Sequence, residues 1–90
     1  MAAQARLMIL ARMTATERVV SFLLELSERN DDEKYIELPM GRCDIGDYLG
    51  LTIETVCRVL SDLRRRGLIE VSPHSVTLLD RFALEAIRED

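Results

Sequence analysis

The sequence has no tryptophan, and its aromatic residues are two tyrosines and two phenylalanines. It therefore has little material for the stacking platforms that hold single-stranded nucleic acid. Its one histidine, His74, stands without a Ser-His-Asp set, a glycine-rich phosphate loop or a metal cluster, which argues against an enzyme. The two cysteines, Cys43 and Cys57, lie far apart, with neither a Cys-x-x-Cys spacing nor a nearby His pair. A structural zinc or iron–sulfur site needs about four ligands, so no metal and no cofactor are expected, and no disulfide framework either. No apolar run approaches the roughly 20 residues of a membrane span. Leu7 to Leu10 is too short for a secretory core and is followed by Arg12, so the expected location is cytoplasmic.

What is present points to one small globular domain. Apolar residues make up 48% of the 90 positions against 31% charged, a balance that buries a core instead of remaining disordered. Twelve basic and sixteen acidic side chains leave a net charge of −4. That argues against unspecific nucleic-acid binding by the whole surface, but it leaves room for a local basic patch.

Along the chain, residues 3–13 read as helix, rich in Ala, Gln, Arg, Leu and Met. Thr14 to Glu17 matches a capping box and starts a second helix to about Glu28, with Val19, Val20, Phe22, Leu23, Leu24 and Leu26 on a broad apolar face. Asn30 to Lys34 is a polar loop, and Tyr35 to Leu38 a brief strand ended by Pro39. A helix follows from about Arg42 to Leu49, stopped by Gly50. Thr52 caps the next, from Ile53 to about Arg66, which Gly67 ends. Leu68–Val71 and Val76–Leu78 form a hairpin around Ser72-Pro73-His74-Ser75, and Asp80 caps a last short helix. The fold class expected is mainly α with a small β wing, a winged helix-turn-helix.

The informative segment runs from Arg42 to Leu60. Two short helices joined by a tight turn cross closely, so Gly46 supplies a small residue at the crossing and Gly50 the positive φ of the turn. Val56, Val59, Leu60 and Leu63 follow the buried spacing of the second helix. Glu54, Cys57, Arg58, Ser61 and Arg65 point the other way. Such a helix fits a DNA major groove with its N-terminal residues at base edges. Glu54 can accept from a cytosine amino group and Arg58 can donate to guanine in bidentate fashion, with Cys57 beside them on the reading face. At i,i+4 the Glu54 carboxylate can also hold the Arg58 guanidinium. Thr52, Thr55, Arg42, Arg65 and the wing-tip His74 are placed for backbone phosphates. Two bland readings stand beside these: Glu54 and Arg58 as an ordinary exposed helix pair, and Arg64-Arg65-Arg66 as a solvated helix end that complements the macrodipole.

These residues resemble the DNA-binding domain of the Crp/Fnr family of bacterial transcription regulators. The matching string is Asp44-Ile45-Gly46-Asp47-Tyr48-Leu49-Gly50-Leu51-Thr52, then Glu54-Thr55-Val56-Cys57-Arg58, and the similarity runs from about Met8 to Ile87. Ile53 stands where the cAMP-responsive branch has a basic residue, and Cys57 where the Fnr branch proper has serine, which resembles the FixK subgroup. The resemblance implies that Glu54 and Arg58 read a half-site ending in TGA in double-stranded DNA. It implies that residues 1–13 are the end of a dimerisation helix, that residues 14–90 are the winged helix-turn-helix, and that the full-length protein is a homodimer. It also implies activation or repression of promoters, with RNA polymerase met through the loop at 30–34. Oxidation of Cys57 would place negative charge against the groove, so redox control is a further expectation. The alternative is a winged helix used for protein contact, supported by the net acidity; a salt-dependence series on duplex DNA separates the two.

Overall fold

The computed structural model describes residues 14–29 and 34–89. Helix α1 (Ala15–Arg29) begins at the expected box: the Glu17 amide donates to Thr14 Oγ1 at 3.1 Å, and the Thr14 amide donates to Glu17 Oε1 at 2.8 Å. The Thr14 backbone bond, then its hydroxyl, hold the Glu17 carboxyl below the ordinary carboxylate pKa. Strand β1 (Tyr35–Glu37), α2 (Arg42–Leu49), α3 (Ile53–Arg65), β2 (Ile69–Ser72), β3 (Ser75–Leu78) and α4 (Arg81–Glu89) follow. The helix expected at residues 3–13 lies outside the described residues, as does the 30–34 loop apart from Lys34.

One core joins all these elements. Val19, Val20, Phe22, Leu23 and Leu24 of α1 pack with Ile36, Ile45, Leu49, Val56, Val59, Leu60, Leu63, Ile69, Val76, Leu78 and Leu84, all buried. Ser27 is the buried polar residue on α1 and is satisfied twice: its hydroxyl donates to Leu24 O at 2.8 Å and accepts from Arg81 Nη1 at 2.7 Å. Arg88 reaches Glu28 at 3.0 Å, so α4 is fastened to the C-terminal half of α1 by polar bonds around the apolar contact of Leu84. The α4 cap is the expected one, with the Ala83 amide donating to Asp80 at 3.1 Å.

The wing is longer than the sequence reading made it. Ser72 and Ser75 pair across the hairpin, so the loop is the two residues Pro73 and His74, and each strand gains one residue at the tip. β1 is not a separate strand: it pairs antiparallel with β3, in the register Tyr35↔Thr77, Ile36↔Val76, Glu37↔Ser75, giving the order β1-β3-β2. Period-two alternation buries Ile36 while Tyr35 and Glu37 face solvent.

Candidate nucleic-acid interface

The turn between α2 and α3 is built from backbone. Gly50 ends α2 with φ 72°, the Leu51 amide donates to Gly46 O at 2.7 Å, and the Gly50 amide donates to Asp47 O at 3.4 Å. This is a Schellman arrangement, which only the left-handed residue at Gly50 allows without strain. Arg18 of α1 donates to Leu49 O at 3.1 Å and so occupies another of the end carbonyls of α2. At Gly46 the two helices touch directly: a Cβ there would lie 2.6 Å from Leu51 O and 3.5 Å from Ile53 N. The start of α3 is thus seated on the Cα of Gly46, as the expected close crossing required.

Thr52 caps α3, its Oγ1 accepting from the Thr55 amide at 3.1 Å and donating to Thr55 Oγ1 at 2.9 Å. The Thr52 hydroxyl proton is therefore engaged in the bond to Thr55, and the hydroxyl proton left to offer a phosphate at this helix start is that of Thr55. Glu54 and Arg58 are both exposed on the outer face of α3. Among the described residues neither has a charged partner, so the expected bracing of Arg58 by Glu54 is absent and the guanidinium stands clear. Cys57 is half-buried and its neighbour Ser61 exposed; Cys43 is exposed on α2.

Arg42 stands apart from its expected placement at a phosphate. Its Nη1 donates to Pro73 O at 3.2 Å and its Nη2 to Ser72 O at 3.3 Å, so the first residue of α2 clasps the wing turn. A guanidinium has five N–H donors, and three remain for other partners. His74 is exposed at the wing tip.

Two grooves flank α3. The one toward the wing, about 310 Å³, is lined by Arg42, Cys57, Leu60, Ser61, Arg64 and Val71. The one toward α1, about 290 Å³, is lined by Thr16, Arg58, Val59, Asp62 and Arg65. The three consecutive arginines part company here. Arg66 pairs with Asp62 at 2.9 Å and Arg65 lies 3.9 Å from the same carboxylate, whereas the Arg64 side chain has no partner among the described residues. Arg65, the one of the three named for a phosphate, lines the groove toward α1, and Arg64 the groove toward the wing. Arg64 is three residues from Ser61 and seven from Cys57, a spacing that puts all three on one stripe of α3.

Four helices, two of them forming a helix-turn-helix, with a small three-stranded antiparallel sheet beside them make a winged helix-turn-helix. Residues 17–87 match the model of the Crp-like helix-turn-helix domain, and the chain belongs to that family. It is 44% identical over 86 residues to the nitrogen fixation regulation protein FixK of Rhizobium meliloti, covering 96% of this chain and 40% of that protein. It is 39% identical over 88 residues to the transcriptional activator protein FnrA of Stutzerimonas stutzeri, covering 93% of this chain and 36% of that one. The solved structure of FixK2 from Bradyrhizobium japonicum superposes with a TM-score of 0.85 at 43% identity, over 94% of this chain and 43% of its own. The chain thus spans about two fifths of the length of these relatives. They are transcription regulators of the Crp/Fnr kind, and the chain is a domain of that kind and not an enzyme. No helix among the described residues is long and apolar enough to cross a membrane.

Proposed function

We propose that this domain reads double-stranded DNA in the major groove through α3, at half-sites ending in TGA, as part of a cytoplasmic transcription regulator. The observation that carries the reading is the pair Glu54 and Arg58, exposed together on the first turns of a capped helix with no charged partner of their own among the described residues. An unpaired guanidinium is ready for guanine O6 and N7, and an unpaired carboxylate for a cytosine amino group. The Thr55 hydroxyl and the exposed Arg65 supply donors for phosphates beside them, with Thr52 holding the helix start in place, and the wing brings His74 to the flank. Arg42 serves the same end by fixing the wing turn, with three N–H donors left over for a phosphate. Similarity to FixK and FnrA supports the branch assigned, and the proposal extends to a full-length homodimer that meets RNA polymerase.

Selection of bound duplexes from a random pool tests the reading. Enrichment of TGA-containing half-sites is the expected result; a pool that stays random, or one enriched for another triplet, would overturn it.

Cys57 adds redox control. It lines the wing-side groove one residue before Arg58, where sulfinic or sulfonic acid would set a negative charge against anionic DNA. Peroxide should weaken binding by wild type and by Cys43→Ser and leave Cys57→Ser unchanged, with reductant restoring the sulfenic or disulfide fraction. Equal loss in Cys57→Ser would show that the thiol is not the switch.

A further inference from the structure

The groove between α3 and the wing has a charge pattern that the groove on the other side of α3 lacks. Its walls carry two guanidinium groups, Arg42 from α2 and Arg64 from the last turn of α3, and no carboxylate. The opposite groove also holds two arginines, Arg58 and Arg65, but Asp62 lies between them. That same Asp62 draws Arg66 to 2.9 Å and Arg65 to 3.9 Å, so the carboxylate is spent on the side of α3 turned away from the wing. Strand alternation clears the wing side further. In β2, Ile69 and Val71 face α3, while Glu70 and Ser72 are exposed on the other face of the sheet. The hydroxyl of Ser61 and the thiol of Cys57 stand with the apolar Leu60 and Val71 along the floor. In a chain of net charge −4, a cleft with two cations and no acid in its lining stands out.

The two cations are held differently. Arg42 is tied to the carbonyls of Ser72 and Pro73, so its position is set by the wing turn. The Arg64 guanidinium is exposed and has no partner among the described residues, so no intramolecular bond has to break before it meets an anion. A cationic groove of about 310 Å³ between α3 and the wing suits a sugar-phosphate strand.

We propose that this groove seats one DNA strand and that Arg64 is a direct phosphate contact, made from the wing side of α3 across from Arg42. The inference rests on the reading of α3 as the helix that enters the groove. It adds a contact outside the base-reading pair, one that supplies affinity without sequence information. Each phosphate neutralised releases counterions, so one contact contributes about 0.9 to the slope of log affinity against log salt on duplex DNA.

The test is a salt series on a TGA palindrome and on a scrambled duplex with wild type, Arg64→Gln, Arg64→Lys and Arg66→Gln. Arg64→Gln should lower the magnitude of the slope by about one on both duplexes. Arg64→Lys should restore it, because the charge is kept. Arg66→Gln, which removes the same charge two residues further along, should leave the slope at the wild-type value. A scan of single methylphosphonate substitutions then places the contact: the neutral linkage that weakens wild type should cost Arg64→Gln nothing further. A wild-type slope near zero would sink the DNA reading itself. A steep wild-type slope that Arg64→Gln leaves unchanged, or that Arg66→Gln lowers as much, would overturn the Arg64 contact alone. Loss confined to the palindrome would make Arg64 a base reader and overturn it too.

Discussion

Replacing Gly46 by alanine should destabilise the domain by about 1–3 kcal/mol, although alanine is the better helix former. On propensity alone the change would stabilise α2 by about 0.5–1 kcal/mol. The geometry reverses the sign, because the new Cβ would sit 2.6 Å from Leu51 O, and that atom belongs to backbone that cannot swing aside. Either the crossing of α2 and α3 opens or the turn shifts, and the Schellman bond from the Leu51 amide to Gly46 O goes with it. For a domain of this size each kcal/mol lowers Tm by roughly 4–8 °C. A thermal melt measures it, and Gly41→Ser is the matched control. At Gly41 a Cβ meets nothing within 4 Å, the backbone is extended at φ −72°, and serine caps a helix at least as well as glycine. Gly41→Ser should hold or raise Tm. If Gly46→Ala melted with wild type, the close crossing would not be what seats α3.

Arg58→Ala should weaken binding to the preferred duplex by about 1–3 kcal/mol, some 5- to 150-fold, while hardly changing affinity for scrambled DNA. Arg58 is exposed, and the described residues hold no ion-pair partner for it, so its removal leaves no buried charge stranded and stability should not change. The loss is expected at one G·C pair, where all four bases should become nearly equivalent. Arg58→Lys should recover little of the preference, since an ammonium cannot match guanine O6 and N7 with a planar fork. Competition assays with each base at that position give the result directly. An unchanged ratio of specific to scrambled affinity in Arg58→Ala would falsify the base-reading role.

The helix-turn-helix was legible in the sequence because its signals are local. Thr14 with Glu17, Gly46, Gly50, Thr52 and Asp80 each act within four or five residues, and the helices they bound appear where those residues place them. What was hidden is non-local. Nothing in Tyr35–Glu37 announces pairing with Thr77–Ser75, and nothing near Arg42 points to carbonyls thirty residues further along the chain. The clasp of Arg18 on Leu49 O is of the same kind. The different surroundings of Arg64 and Arg65 are equally hard to read from the sequence: one residue is about 100° around a helix, enough to move a side chain from one groove to the other. The position of Asp62, which decides which arginines are occupied, becomes visible only once the side chains are placed.

Because β1 is zipped to β3, the segment between Glu37 and Ser75 is a loop closed at its base, and the entire helix-turn-helix lies inside it. Closing so long a loop is entropically slow, and its reward comes only when the strands meet. The helix-turn-helix is therefore not a detachable cassette. Fraying of β1 frees the inner strand of the wing along one whole edge, and the carbonyls that Arg42 holds lie at the end of that hairpin. Strand, wing and reading helix form a single cooperative unit, in which a disturbance entering at the short N-terminal strand is felt at the far side of the loop, where the wing meets α3.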